Sequence, residues 1–216
     1  MPSTGKIMGS VLLLGLVICL LAVSVRGNPD QGLKKEKYAK GKYSKIFEEI
    51  TGAPEFCHKR ACPKYTPEYE LRYYEESKWL SINKSANAND TRSLFMTLFR
   101  YITGNNSENQ TIAMTVPVLK KILPNENMVL SFYITQPNAP KPNDPRLYFE
   151  TFPAQNVYGR VFGGFAKKKD NEENKQKLID AVGASKVESN FYFVASYDAP
   201  WVQNDRHNEI WLLAKN

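Results

Sequence analysis

The sequence predicts an α+β fold: a distorted eight-stranded antiparallel β-barrel made of two pseudo-repeats, with two main helices packed outside it. Three observations lead there. The order strand, strand, helix, strand, strand appears over residues 65–135 and again over 146–214. Each repeat carries one helical segment stopped by a glycine, Gly104 in the first and Gly183 in the second. Pairing the strands of two such units into one curved or closed sheet also removes the exposed edges that invite aggregation.

The first segment precedes that fold. Lys6 is followed by an almost unbroken apolar run over residues 11–25, then Ser24, Gly27 and the polar Asn28-Pro29-Asp30. This is the layout of a secretory signal peptide over residues 1–27, cleaved near Gly27. The run falls short of the roughly 20 residues that span a bilayer, which argues against stable membrane insertion. Removing it takes away Lys6 and Arg26 and no acidic residue, leaving 27 basic against 22 acidic side chains. Much of the excess lies in residues 28–60, a basic extension holding Lys34, Lys35, Lys37, Lys40, Lys42 and Lys45. It reads as a solvated tail with a short helix near residues 45–50 and, at most, weak contact with anionic glycans or phospholipid heads. No basic-aromatic constellation on a nucleic-acid-binding fold is present, so a nucleic-acid partner is not expected.

Cysteine usage agrees with an extracellular address. Cys19 leaves with the signal, and Cys57 and Cys62 remain to close a short disulfide loop. His58 lies between them, but no second Cys/His cluster exists to complete a zinc site. Four N-glycosylation sequons begin at Asn83, Asn89, Asn105 and Asn109, all in polar stretches flanking one predicted helix.

The domain proper runs over residues 61–216. Tyr69, Leu71 and Tyr73 alternate with Glu70, Arg72 and Tyr74, a strand with one buried face, and residues 78–82 form a second. The clearest helix follows, capped by Asp90 and ended by Gly104. Leu94, Leu98 and Ile102 make one i, i+4 stripe on it, and Arg92, Phe95 and Phe99 make an adjacent one. That apolar arc is wider than a helix resting on a sheet needs, so one stripe can seal the core while its neighbour faces something else. Strands are expected at 112–119, 128–135, 147–151 and 157–162, with a Pro-rich loop between the second and third and a turn at Gly163-Gly164. Asp170 and Glu173 have capping-box spacing for a helix through Val182, and residues 187–197 and 209–214 supply the last strands. Three correspondences mark the repeat: Tyr74…Trp79 with Phe152…Val157, Val116-Pro117 with Ala199-Pro200, and Asn127-Met128-Val129 with Asn208-Glu209-Ile210.

Enzyme chemistry has little to stand on. The chain lacks a nucleophile elbow, a phosphate loop, a dinucleotide fingerprint and a His-Glu-x-x-His motif. Its two histidines, His58 and His207, read as exposed loop residues rather than ligands, and Met114 reads as core filler.

Several segments resemble the SOUL/haem-binding protein family. Tyr69-Glu70-Leu71-Arg72-Tyr73-Tyr74 with Lys78-Trp79 resembles its opening strands, and Phe99-Arg100-Tyr101-Ile102-Thr103-Gly104-Asn105 the end of its first helix. Met114-Thr115-Val116-Pro117-Val118, Phe162-Gly163-Gly164-Phe165 and the closing Arg206-His207-Asn208-Glu209-Ile210-Trp211-Leu212-Leu213 complete a series spanning about residues 62–214. The resemblance implies a non-enzymatic domain that binds haem or another tetrapyrrole non-covalently in an apolar groove beside the first helix. It implies that Arg92 meets a propionate and that Phe95, Met96 and Phe99 lie near the macrocycle. Some relatives carry a histidine in the first strand as an iron ligand, where this chain has Tyr73. A tyrosine ligates ferric haem only as a phenolate, so Tyr73 is a pocket-lining residue first and an axial ligand second. Two functions stay open: an extracellular haem carrier or scavenger, and a secreted glycoprotein acting through protein or anionic-glycan contacts without haem.

Overall fold

The computed structural model describes residues 64–65, 68–84, 91–124, 127–204 and 206–215. The expected signal segment, the basic extension with its short helix, the Cys57–Cys62 pair, the sequon at Asn89 and the cap at Asp90 lie outside the described residues. The elements are β1 (Lys64–Tyr65), β2 (Glu70–Tyr74), β3 (Ser77–Asn83), α1 (Thr91–Ile102), β4 (Val118–Ile122) and β5 (Met128–Tyr133). They continue with β6 (Leu147–Phe152), β7 (Gln155–Phe162), α2 (Lys168–Val182), β8 (Tyr192–Ser196) and β9 (Asn208–Leu213).

The strands form one antiparallel sheet in the order β1-β2-β7-β9-β8-β4-β5-β3-β6. β1 is a two-residue addition to an eight-stranded core. The sheet curls into a half-barrel whose edges are β1 and β6 rather than closing on itself. Exchanging β2 with β6, β3 with β7, β4 with β8 and β5 with β9 reverses the eight-strand order, which is what a two-fold axis does. The register obeys it: Tyr74↔Gln155 answers Ser77↔Phe152, and Gly159↔Trp211 answers Ser81↔Ser131. The axis passes between β4 and β8 at the pair Lys120↔Val194.

The Tyr74…Trp79 and Phe152…Val157 correspondence therefore holds, and the other two do not. Met128 opens β5 as Asn208 opens β9, so matching Met128 to Glu209 is off by one residue and puts the two on opposite faces. Val116-Pro117 precedes β4 whereas Ala199-Pro200 follows β8, so they are neighbours across the β4–β8 ladder, not equivalents.

Alternation divides every strand between two faces. The outer face carries Leu80, Ile82, Leu130 and Phe132, packed with Leu94, Leu98 and Ile102 of α1, and Tyr192, Val194, Ile210 and Leu212, packed with Leu178 and Val182 of α2. The inner face carries Tyr74, Trp79, Leu119, Val157, Phe193, Ala195, Tyr197 and Trp211. On β2 the buried positions are Arg72 and Tyr74, while Tyr73 is 37% exposed.

Three boundaries moved for physical reasons. The strand expected at 112–119 begins at Val118, because Pro117 has no N–H for a ladder. Ahead of it the Ile112 N–H donates to the Ile102 carbonyl and the Thr115 hydroxyl to that of Tyr133. The strand expected from residue 187 begins at Tyr192, because a 3-10 turn at Ala184–Lys186 leaves Val187 with only an isolated bridge to Ala214. α2 starts at Lys168, so Asp170 is its third residue, and its carboxylate accepts from the Lys167 N–H.

Candidate functional site

Two places on this sheet could hold a ligand, one on each face. The inner face is built around a buried ion pair that sequence reasoning missed. Arg72 and Glu209 meet across β2, β7 and β9, with Nη1 2.8 Å from Oε2 and Nη2 3.1 Å from Oε1. The same carboxylate accepts from the Tyr197 hydroxyl and the Trp211 indole N–H on Oε2, and pairs with His207 Nε2 at 2.8 Å on Oε1. Arg72 also donates to Glu70 and to the Tyr74 hydroxyl. Its path over β7 passes Gly159, where a Cβ would stand 3.4 Å from the guanidinium carbon. Burial by itself would push the Glu209 carboxyl up, but the Arg72 charge and the His207 and Arg72 hydrogen bonds outweigh it and hold it well below the usual carboxylate range. Burial, then the Glu209 charge, pushes the Tyr197 hydroxyl well up. His207 is thus half-buried and part of this network, not an exposed loop residue. The available signal was opposite charges set among apolar residues on two strands, Arg72 between Leu71 and Tyr73 and Glu209 before Ile210-Trp211.

Beside this clamp lies a shallow cleft lined by Tyr74, Trp79, Phe152, Phe193 and Trp211 among others. Its rings are already in contact: Trp79 stacks on Phe152 at 5.4 Å, Phe152 meets Phe193 at 5.6 Å, and Tyr74 meets Trp211 edge-on at 4.9 Å. The space left between them is only about that of a single water molecule. A flat tetrapyrrole with two propionate arms exceeds what it encloses.

The outer face holds the second place. α1 lies over β5 and β3, and α2 over β7 and β9 and over Tyr192 and Val194 of β8, so β4, with Val118, Lys120 and Ile122 half-buried, forms the floor of a valley between the helices. Tyr101 of α1 meets the Phe149 ring of β6, and Thr97 accepts from Arg146, which turns that flank of the helix away from the valley. The opposite flank carries Arg92, Phe95 and Phe99. Phe95 stacks on Phe99 at 5.9 Å and meets Phe132 edge-on at 5.3 Å. Phe132 pairs with Val118 of the valley floor.

The predicted site residues divide accordingly. Arg92 is exposed, Phe95 half-buried, Met96 37% exposed at the crest of the helix, and Phe99 buried as part of the core. Tyr73 does not join them: it sits on β2, which pairs with β1 and β7, not on a strand beneath α1. Met114 is buried in the core under α1. The C-terminus of α1 is held by the buried Asn106, whose amide donates to the Tyr101 and Gln110 carbonyls while its oxygen accepts from two N–H groups. That gives the Gly104-Asn105-Asn106 segment a structural role. Asn83, Asn105 and Asn109 are exposed. Among the described residues, no group of three His, Cys, Asp or Glu is placed to hold a metal ion, and no helix is long and apolar enough to cross a membrane.

A duplicated ββαββ half-barrel, with helices on one face and an aromatic cleft on the other, defines the class: an α+β domain of effector-binding-like fold. The EcmrR C-terminal domain shares it, with a TM-score of 0.51 and 13% identity over 68% of this chain and 97% of that one. Within that class the model of the family described as SOUL heme-binding protein matches residues 58–213, and the chain belongs to that family. Among its relatives are heme-binding protein 2 of Mus musculus, 29% identical over 68% of this chain and 78% of the relative. Heme-binding protein 1 of Xenopus laevis is 29% identical over 68% and 84%.

Proposed function

We propose that this chain is an extracellular, non-enzymatic binding protein for haem or a related tetrapyrrole, which lies non-covalently along the α1 wall of the outer valley. One observation carries the reading: α1 has a second apolar row, Phe95 and Phe99 leading to Arg92, on the flank facing the half-buried outer side of β4. A sheet-packing helix needs only the Leu94/Leu98/Ile102 row. Membership of a family whose relatives are named for haem binding supports the same ligand. Phe95, Met96 and the exposed edge of Phe99 would contact the macrocycle, and Arg92 a propionate. Bound haem would supply a chromophore and a redox-active iron. The residues of this wall fit its ring and carboxylates better than its iron, because Tyr73 lies on a strand away from α1. The signal segment, Cys57 with Cys62, and the exposed sequons at Asn83, Asn105 and Asn109 support secretion.

The test is a titration of the secreted protein with haemin and, in parallel, protoporphyrin IX, following the Soret band and tryptophan quenching. Saturation near one equivalent with both is expected. Weak, non-saturating association with both would sink the reading and favour the glycoprotein alternative, in which the lysine-rich extension engages anionic glycans.

A further inference from the structure

The dyad that relates the two repeats runs through Lys120 and Val194, and it is broken there in one respect. Where the second repeat places Val194, completely buried, the first places a lysine. Lys120 lies on the outer face of β4 between Val118 and Ile122, both half-buried and packed against the α1 core. It is itself half-buried. Among the described residues no carboxylate, carbonyl or ring partners its ammonium, whereas its neighbour Lys121, on the inner face, stands 4.4 Å from the Phe191 ring. On the far wall, Glu172 of α2 is already occupied: it accepts from the Tyr192 hydroxyl at 2.6 Å and pairs with Lys175 at 3.4 Å. Burial pulls the Lys120 ammonium below its ordinary range, the sign of a charge whose environment does not compensate it. A position that needed only packing would be served by valine, as its symmetry mate shows.

Along the valley, Phe95 stands at the level of Phe132 and hence of Val118, and Lys120 follows two residues on, paired with Leu130. An apolar aromatic wall and a cation on the floor therefore adjoin. We propose that Lys120 is an anion-binding residue of this valley, and that its ammonium takes a carboxylate of the planar apolar ligand lying against Phe95 and Phe99. The inference rests on the tetrapyrrole reading and deepens it: the site selects rings that carry free carboxylates. Arg92, on the α1 flank above, supplies a second, more solvated cation, so a dicarboxylate fits better than a monocarboxylate.

The experiment compares protoporphyrin IX with its dimethyl ester, by tryptophan quenching, on the wild-type protein, Lys120→Met and Lys120→Arg. Circular dichroism establishes that each variant is folded. The wild type should prefer the free acid by about tenfold or more, the worth of one charge-assisted hydrogen bond. Lys120→Met should lose that preference by weakening the acid and leaving the ester unchanged, and Lys120→Arg should keep it. If Lys120→Met binds both rings as the wild type does, the Lys120 assignment is overturned and the tetrapyrrole reading stands. If the wild type binds neither ring, both fall together.

Discussion

Glu209 and Lys120 are two charges taken out of water on opposite faces of one sheet, and the molecule treats them differently. Glu209 is almost wholly buried and receives hydrogen bonds from Arg72, Tyr197, Trp211 and His207, drawn from two strands and the loop between β8 and β9. Lys120 has no partner among the described residues. A buried charge is costly unless it is paired and hydrogen-bonded. The inner-face pair meets that condition within the fold, so it acts as a clamp holding β2 to β9 across β7. The outer-face cation leaves the condition for something else to meet. Of the residues that carried the family resemblance, Arg72, Tyr74, Glu209 and Trp211 belong to the clamp, whereas Phe99 and Val118 lie on the other face of the sheet. The ligand is expected on the other side of the sheet.

The sharpest way to break this comparison is to remove one partner of the clamp. Arg72→Met leaves Glu209 buried without its counter-charge and should cost about 3–5 kcal/mol, read as a fall in the urea midpoint. Adding Glu209→Gln should recover part of the loss. A single-variant cost within about 0.5 kcal/mol would show that water reaches Glu209 and that the two charges are not so different.

Next in size is a contrast along α1. Phe99→Ala should cost about 3 kcal/mol, because this side chain is a core residue as well as a wall of the valley. Met96→Ala, at the exposed crest, should change stability by less than about 0.5 kcal/mol. A tetrapyrrole titration on the folded Met96 variant then reports binding without the packing loss. Equal destabilisation by the two would mean the crest is covered.

Acid titrates the clamp itself. The carboxyl of Glu209 is held below its unfolded value near ~4.3, so its contribution is complete above that pH and drains away as pH falls beneath it. On the order of 2 kcal/mol should be lost on this limb, and Glu209→Gln should flatten it. An unaltered acid limb in that variant would assign the loss to other carboxylates.

The smallest expected effect has the opposite sign. In the absence of ligand, Lys120→Met should raise stability by about 1 kcal/mol, since an uncompensated ammonium is replaced by an apolar chain of similar reach. A clear loss of stability would mean that Lys120 is held by contacts within the fold.

Much of the architecture was legible in the chain. The order of elements, both helices with their terminal glycines, and the Tyr74…Trp79/Phe152…Val157 repeat follow from local signals. Periodicity, turn residues and helix stops act over a few positions and survive into any tertiary context. So was the double stripe on α1, because 3.6-residue spacing alone sorts Leu94, Leu98 and Ile102 from Arg92, Phe95 and Phe99. Other features required the folded chain. Alternation shows that β2 has two faces but not which one is buried, and packing awarded the inside to Arg72 and Tyr74, leaving Tyr73 outside. No local pattern joins Arg72 to Glu209, which lie 137 residues apart. No pattern marks Lys120 either, since a lysine in a strand is ordinarily solvated. It becomes singular only when a two-fold arrangement of eight strands sets it on the axis, between two helices, opposite a valine. Local sequence determines which elements form and which faces they offer. Which faces meet, and which charge is left without a partner, is decided by long-range pairing.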